Sequence, residues 1–184
     1  MLGDTFTLAY QLKTFQGIRY SLFNYNTGGA PGGYADFDDF MVYEPRPRGL
    51  TRPIPYGRTI QLASLADGSV LAAQGDRLEA VASGAGAGAG LRIVDMDTGR
   101  VALQAPDGRF VSVAAQTGDV ALKAGKPGVA ETFQWEDLSG DIAFMSLANH
   151  RYLLAQPGAP VTGNDPGPRP DHRDGSAFLW TQLK

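Results

Sequence analysis

The chain is 184 residues long, carries a formal charge of −3 and contains no cysteine. That length allows one good core and a smaller unit, while the lack of cysteine excludes disulfides and thiolate chemistry. Basic residues are scattered, which gives no footprint for nucleic acid, and no apolar run approaches the roughly 20 residues that span a bilayer.

The first residues lack the basic start and apolar stretch of a secretory signal and open directly into a strand pattern. Phe6, Leu8, Tyr10 and Leu12 alternate with Thr5, Thr7, Ala9, Gln11 and Lys13, the signature of a half-buried strand. Ile18, Tyr20 and Leu22 form the inward face of a second. After the turn-rich stretch 27–33, a third runs from Tyr34 to Tyr43. Its apolar parity shifts from Ala35 and Phe37 to Phe40 and Val42, which predicts a β-bulge at Asp38-Asp39. Three strands with one apolar face do not make a sandwich. Either that face packs on the trefoil, or it pairs with another chain, or upstream residues have been removed. The favoured expectation is removal, with residues 1–44 as the terminal antiparallel strands of an incomplete β-sandwich. Glu44-Pro-Arg-Pro-Arg-Gly49 reads as a stiff linker, giving boundaries at 1–44, 45–52 and 53–184.

From about residue 53 one unit of roughly forty residues recurs three times. Leu62, Leu103 and Phe144 coincide at separations of 41 and 41. Each is followed by a turn (Asp67-Gly68, Asp107-Gly108, Asn149-His150) and an apolar pair (Val70-Leu71, Phe110-Val111, Tyr152-Leu153). Asp-Gly and Asn-X tolerate the positive φ of hairpin turns, so each copy reads as strand, turn, strand. A short strand follows at Leu78-Glu79-Ala80 and Leu122-Lys123-Ala124, with Val161-Thr162 as the best match in the third copy. The copies end on Leu91-Arg92-Ile93, Phe133-Gln134-Trp135 and Phe178-Leu179-Trp180, two large apolar residues on one face of a closing strand. Ala85 to Gly90 reads as a flexible loop. Four strands in each of three copies, with no amphipathic helix, exclude helical repeats. A propeller needs at least four blades. The expected fold is all-β: a β-trefoil, a barrel capped by hairpins that leaves no sheet edge open.

Candidate site residues fall into two groups. Asp36 and Asp38, with Asp39, could hold calcium, since oxygen clusters suit that ion; the plainer reading is a solvated edge. No other cofactor is expected. Trefoil sugar sites are shallow pockets, one per copy, with an aromatic platform and a few planar polar groups. Asn149, His150, Tyr152, Asp165 and His172 give the third copy the richest such set, and the first copy offers almost nothing. Tyr152 aligns with Val70 and Phe110, so burial in the barrel is the competing reading. Asp165, Asp171, His172 and Asp174 share a Pro-rich loop and could bind a metal or a sugar, the simpler reading being a polar surface loop.

Two resemblances add to this. Gly108-Arg109-Phe110-Val111, Arg151-Tyr152-Leu153, Phe133-Gln134-Trp135 and Phe178-Leu179-Trp180 resemble the motifs of fascin-like trefoils, from which the first copy departs. Phe15-Gln-Gly-Ile-Arg-Tyr-Ser-Leu-Phe-Asn-Tyr25, followed by Gly32-Gly-Tyr-Ala-Asp-Phe-Asp-Asp-Phe40, resembles the end of the β-sandwich behind the catalytic propeller of glycoside hydrolase family 43. That family includes β-xylosidases and α-L-arabinofuranosidases. The resemblance implies a C-terminal tail of such an enzyme, with the catalytic propeller of the same parent protein as its partner. It also implies Phe15 at the active-site rim, an arabinoxylan-type ligand for the trefoil, and an exported parent. The family's catalytic carboxylates lie in the propeller, so none is carried onto this chain, which is expected to be inactive alone. The alternatives are a hydrolase whose active site lies outside the chain and a structural protein-interaction trefoil of the actin-bundling kind.

Overall fold

The computed structural model describes Gly28, Pro47 and residues 49–84 and 88–183. The chain divides into two compact units, Met1–Val42 and Tyr43–Lys184, and all described residues but Gly28 lie in the second. The three expected N-terminal strands, the bulge at Asp38-Asp39, and the candidates Phe15, Asp36 and Asp38 lie outside the described residues. So does part of the Ala-Gly loop.

Alternating burial sets the strands. Thr59–Ser64 (β1) buries Ile60, Leu62 and Ser64 and turns the intervening residues outward. Val70–Gln74 (β2) and Arg77–Val81 (β3) form a hairpin, and Leu91–Asp95 (β4) closes the first copy. The second copy repeats this as Arg100–Gln104 (β5), Phe110–Val113 (β6), Val120–Lys123 (β7) and Phe133–Leu138 (β8). The third is Asp141–Ser146 (β9), Tyr152–Leu154 (β10), Thr162–Asp165 (β11) and Phe178–Gln182 (β12). The expected fourth strands sit slightly elsewhere. β7 begins two residues before Leu122. In the third copy Val161 is buried and bonded to Leu78, and the strand itself runs from Thr162. A single 3-10 turn at Val129–Glu131 is the one helical feature among the described residues.

Strands β1, β4, β5, β8, β9 and β12 pair in a closed antiparallel ring, with β12 returning to β1. The register repeats threefold. Within copies, Ile60 faces Leu91, Val101 faces Phe133 and Ile142 faces Phe178. Between copies, Ile93 faces Leu103, Trp135 faces Phe144 and Leu62 faces Trp180. This six-stranded barrel with three capping hairpins is a β-trefoil, as the periodicity requires. Leu62, Leu103 and Phe144, the residues that revealed the repeat, are fully buried, each contributing about 1.5–3 kcal/mol.

The three first turns are built alike. Gly68, Gly108 and His150 have φ of 76°, 88° and 56°. The side chain of the preceding Asp67, Asp107 or Asn149 accepts from the backbone N–H of Ser69, Arg109 or Arg151 at 3.0–3.1 Å. The core is less symmetric than the backbone. Phe144 lies edge-on to Trp135 at 5.3 Å and to Phe133 at 6.4 Å, and is tilted against Phe178 at 6.2 Å. The aromatic mass lies between the second and third copies, whereas the first contributes Leu62, Leu91 and Ile93.

Residues at the predicted linker's end are held against the barrel. Thr51 N–H donates to the Asp137 carboxylate, and the Arg52 guanidinium lies 3.6 Å from the Trp180 ring while donating to its carbonyl at 3.2 Å. β1 enters the barrel at its open end, opposite the hairpins, and Asp137 sits beside the β8–β9 turn at that same end. Thr51 and Arg52 themselves are exposed, and it is Leu50, Ile54 and Tyr56 beside them that pack against the core.

Candidate functional site

Hairpin β10–β11 of the third copy differs chemically from its two counterparts. In the first copy the matching cross-strand pair is Val70 and Val81, in the second Phe110 and Lys123, and in the third Tyr152 and Asp165. Val70 and Phe110 are buried, but Tyr152 is only half-buried. The residue that should fill the barrel wall by alignment therefore lies partly at the surface, because its hydroxyl needs a polar partner.

That partner is Glu136 on β8. The Tyr152 hydroxyl lies 2.9 Å from each Glu136 carboxylate oxygen and donates its one proton to that carboxylate. Burial first, then the hydrogen bond to Glu136 and that residue's negative charge, pushes the phenol up to about 12. Tyr152 consequently keeps its proton at any physiological pH and fixes the carboxylate in place. The oxygens of Glu136 retain lone pairs for further donors.

Asp165, opposite Tyr152, accepts from the Gly167 N–H at 2.8 Å. Gly167 passes close to the tyrosine ring: a Cβ placed there would sit 3.4 Å from Cε2. The rest of the Pro-rich loop is tied to itself. Asp174 accepts from Ser176 N–H and Oγ–H and from Arg169 N–H. Desolvation of that carboxyl works against ionisation, but these bonds outweigh it and hold the group below the usual carboxylate range. Asp171 accepts from Arg173 N–H. Among the described residues no group of three or more His, Cys, Asp or Glu side chains is placed to hold a metal ion. The loop carboxylates organise their own backbone instead.

The remaining candidates divide. Asn149 is committed at both ends, donating to the Gly163 carbonyl at 2.8 Å and accepting from Arg151, so it locks the turn onto β11. His150 is exposed beside it. His172 lies elsewhere: its Nδ1 faces Asp141 at 3.1 Å. Asp141 starts β9, four residues before the Met145 that pairs with Tyr152, or about 13 Å away along the strand. The fold brings Asn149, His150, Tyr152 and Asp165 to one hairpin and leaves His172 at the far end of β9. Glu136 was missed by sequence reasoning. Alternation with Phe133 and Trp135 marks it as outward-facing, but only the stacking of β8, β9 and β10 brings it to the tyrosine.

His150 occupies the left-handed region at the position held by glycine in the other two copies, a conformation costing a side-chain-bearing residue about 1–2 kcal/mol. Glycine relieves that strain and loses part of the gain to unfolded-chain entropy. His150→Gly is expected to stabilise the protein by about 0.5–1 kcal/mol, read as a melting point raised by about 2 °C. An unchanged or lower melting point would mean that the imidazole makes a compensating contact.

These features define the chain's second unit as a β-trefoil with one chemically distinct face. No protein-family model and no curated protein matches the sequence. Among solved structures the chain is similar to the designed threefold-symmetric protein ThreeFoil, with a TM-score of 0.59 and 19% identity over 68% of this chain and 99% of that one. At that identity the likeness speaks for the fold.

Proposed function

We propose that this chain is a non-catalytic, carbohydrate-binding accessory region whose working face is the third-copy hairpin. The observation that carries the reading is the flanking of one accessible aromatic ring, Tyr152, by two anchored carboxylates, Glu136 at its hydroxyl and Asp165 across the strand pair. An aromatic face takes the C–H side of a sugar, and a fixed carboxylate accepts a pair of neighbouring hydroxyls. Neither of the other copies combines the two. The trefoil fold is compatible with lectin-like binding. Attachment to a family 43 glycosidase, and with it an arabinoxylan-type ligand, rests on the motifs at 15–25 and 32–40. The rim position of Phe15 rests on the same resemblance, whereas a calcium site at Asp36 and Asp38 rests on the local carboxylate cluster alone.

Calorimetric titration with arabinan, xylan and arabinoxylan oligosaccharides tests the proposal. Binding at millimolar ligand or tighter is expected, with Tyr152→Ala weakening it at least tenfold, about 1.4 kcal/mol. No heat with any of the three would remove it. Turnover of nitrophenyl xyloside or arabinofuranoside by the purified chain would defeat its non-catalytic part.

A further inference from the structure

The three capping hairpins meet around the pseudo-threefold axis. Leu122 N–H donates to the Asp76 carbonyl at 2.7 Å, Val161 N–H to Leu78 at 2.8 Å and Gly163 N–H to Gly118 at 2.8 Å, so β3, β7 and β11 are laced to one another. The lacing leaves a hollow of about 580 Å³ beside it, within the usual size range of small-ligand pockets of about 300–1,000 Å³. Asp76, Arg77, Asp119, Gln156 and Thr162 line it, with Pro160 among its apolar surfaces. Among the described residues the side chains of Arg77, Gln156 and Thr162 make no hydrogen bond. Asp119 has one oxygen on the Thr117 hydroxyl at 2.7 Å and the other open.

We infer that this axial hollow is a second ligand site, for a neutral, hydroxyl-rich molecule such as the terminal residue of a glycan. Hydroxyls alone satisfy both halves of the lining, donating to Asp76 and Asp119 and accepting from Arg77 and Gln156. With two carboxylates to one guanidinium the lining is net negative, which disfavours an anionic sugar. The hollow is built from all three copies, so it does not depend on the third-copy face and the inference stands apart from that proposal.

The test is a titration of the isotopically labelled full chain with xylose, arabinose and xylotetraose, followed by amide NMR shifts. Saturating shifts at Asp76, Asp119 and Gln156 are expected with at least one neutral sugar and none with glucuronate. Arg77→Ala combined with Gln156→Ala should weaken them at least tenfold while circular dichroism stays unchanged. Both residues are exposed, so folding should survive. Absence of shifts at the hollow, equal shifts with glucuronate, or shifts that survive the double substitution would each overturn the assignment. Shifts confined to Tyr152 and Asp165 would overturn it while leaving the third-copy face intact, and shifts confined to the hollow would do the reverse.

Discussion

Replacing Phe144 by alanine is expected to cost about 3–5 kcal/mol, read as a lower urea midpoint with an unchanged slope. Phe144 is fully buried and its ring touches three others, Phe133, Trp135 and Phe178. The substitution removes the transfer energy of a benzyl group and leaves a space that the closed β-ring around it cannot collapse to fill. It also abolishes edge contacts worth about 0.5–1.5 kcal/mol each. Leu62→Ala at the equivalent, equally buried position of the first copy should cost less, because a leucine side chain is smaller and has no ring–ring contacts to lose. Since a domain of this kind holds about 5–15 kcal/mol in all, the Phe144 variant should be close to unfolding at elevated temperature. A loss below about 2 kcal/mol would show that the neighbouring rings repack into the gap.

Gly175→Ala is expected to be nearly as damaging for a different reason. Gly175 has φ of 98°, and a Cβ there would lie 2.3 Å from the Ala155 carbonyl oxygen. Ala155 N–H in turn donates to the Gly175 carbonyl at 2.9 Å. The left-handed conformation costs about 1–2 kcal/mol, and the clash, against backbone rather than a movable side chain, adds about 1–3 kcal/mol. Gly68→Ala supplies the comparison: its φ is 76°, but nothing lies within 4 Å of the added methyl. It should show the conformational cost alone. Thermal unfolding of the two variants side by side separates the terms, and equal melting points would refute the steric account. If the Pro-rich loop is displaced in Gly175→Ala, Gly167 leaves the Tyr152 ring, and sugar binding at that face should weaken too.

Much of the fold was legible in the sequence because barrels reward period-two alternation and hairpin turns reward particular residues. Leu62, Leu103 and Phe144 mark one structural position, and the Asp-Gly and Asn-His steps mark another, whatever lies between them. What stayed hidden depends on approach in three dimensions. Glu136 finds Tyr152 across two intervening pairings, a relation with no fixed spacing. His172 shares a loop with Asp165 and Asp174 but ends beside Asp141, because the loop folds back on its own carboxylates. Thr51 and Arg52 follow a Pro-Arg run that composition reads as a spacer. Their partners, Asp137 and Trp180, are 86 and 128 positions away. The motifs at 15–40 remain a reading of residues alone.

The pairing of β1 with β12 has a consequence for biosynthesis. Ile60 and Gln182, matched in that register, are more than a hundred residues apart in the chain. On the ribosome, β1 waits with one edge unpaired until β12 has emerged, and only then can the ring close. Such distant pairing makes for slow folding. A chain interrupted before Phe178 would be no smaller folded version of the protein. It would be an open sheet with β1 and β9 exposed, suited to pairing with its neighbours and to capture by chaperones or proteases.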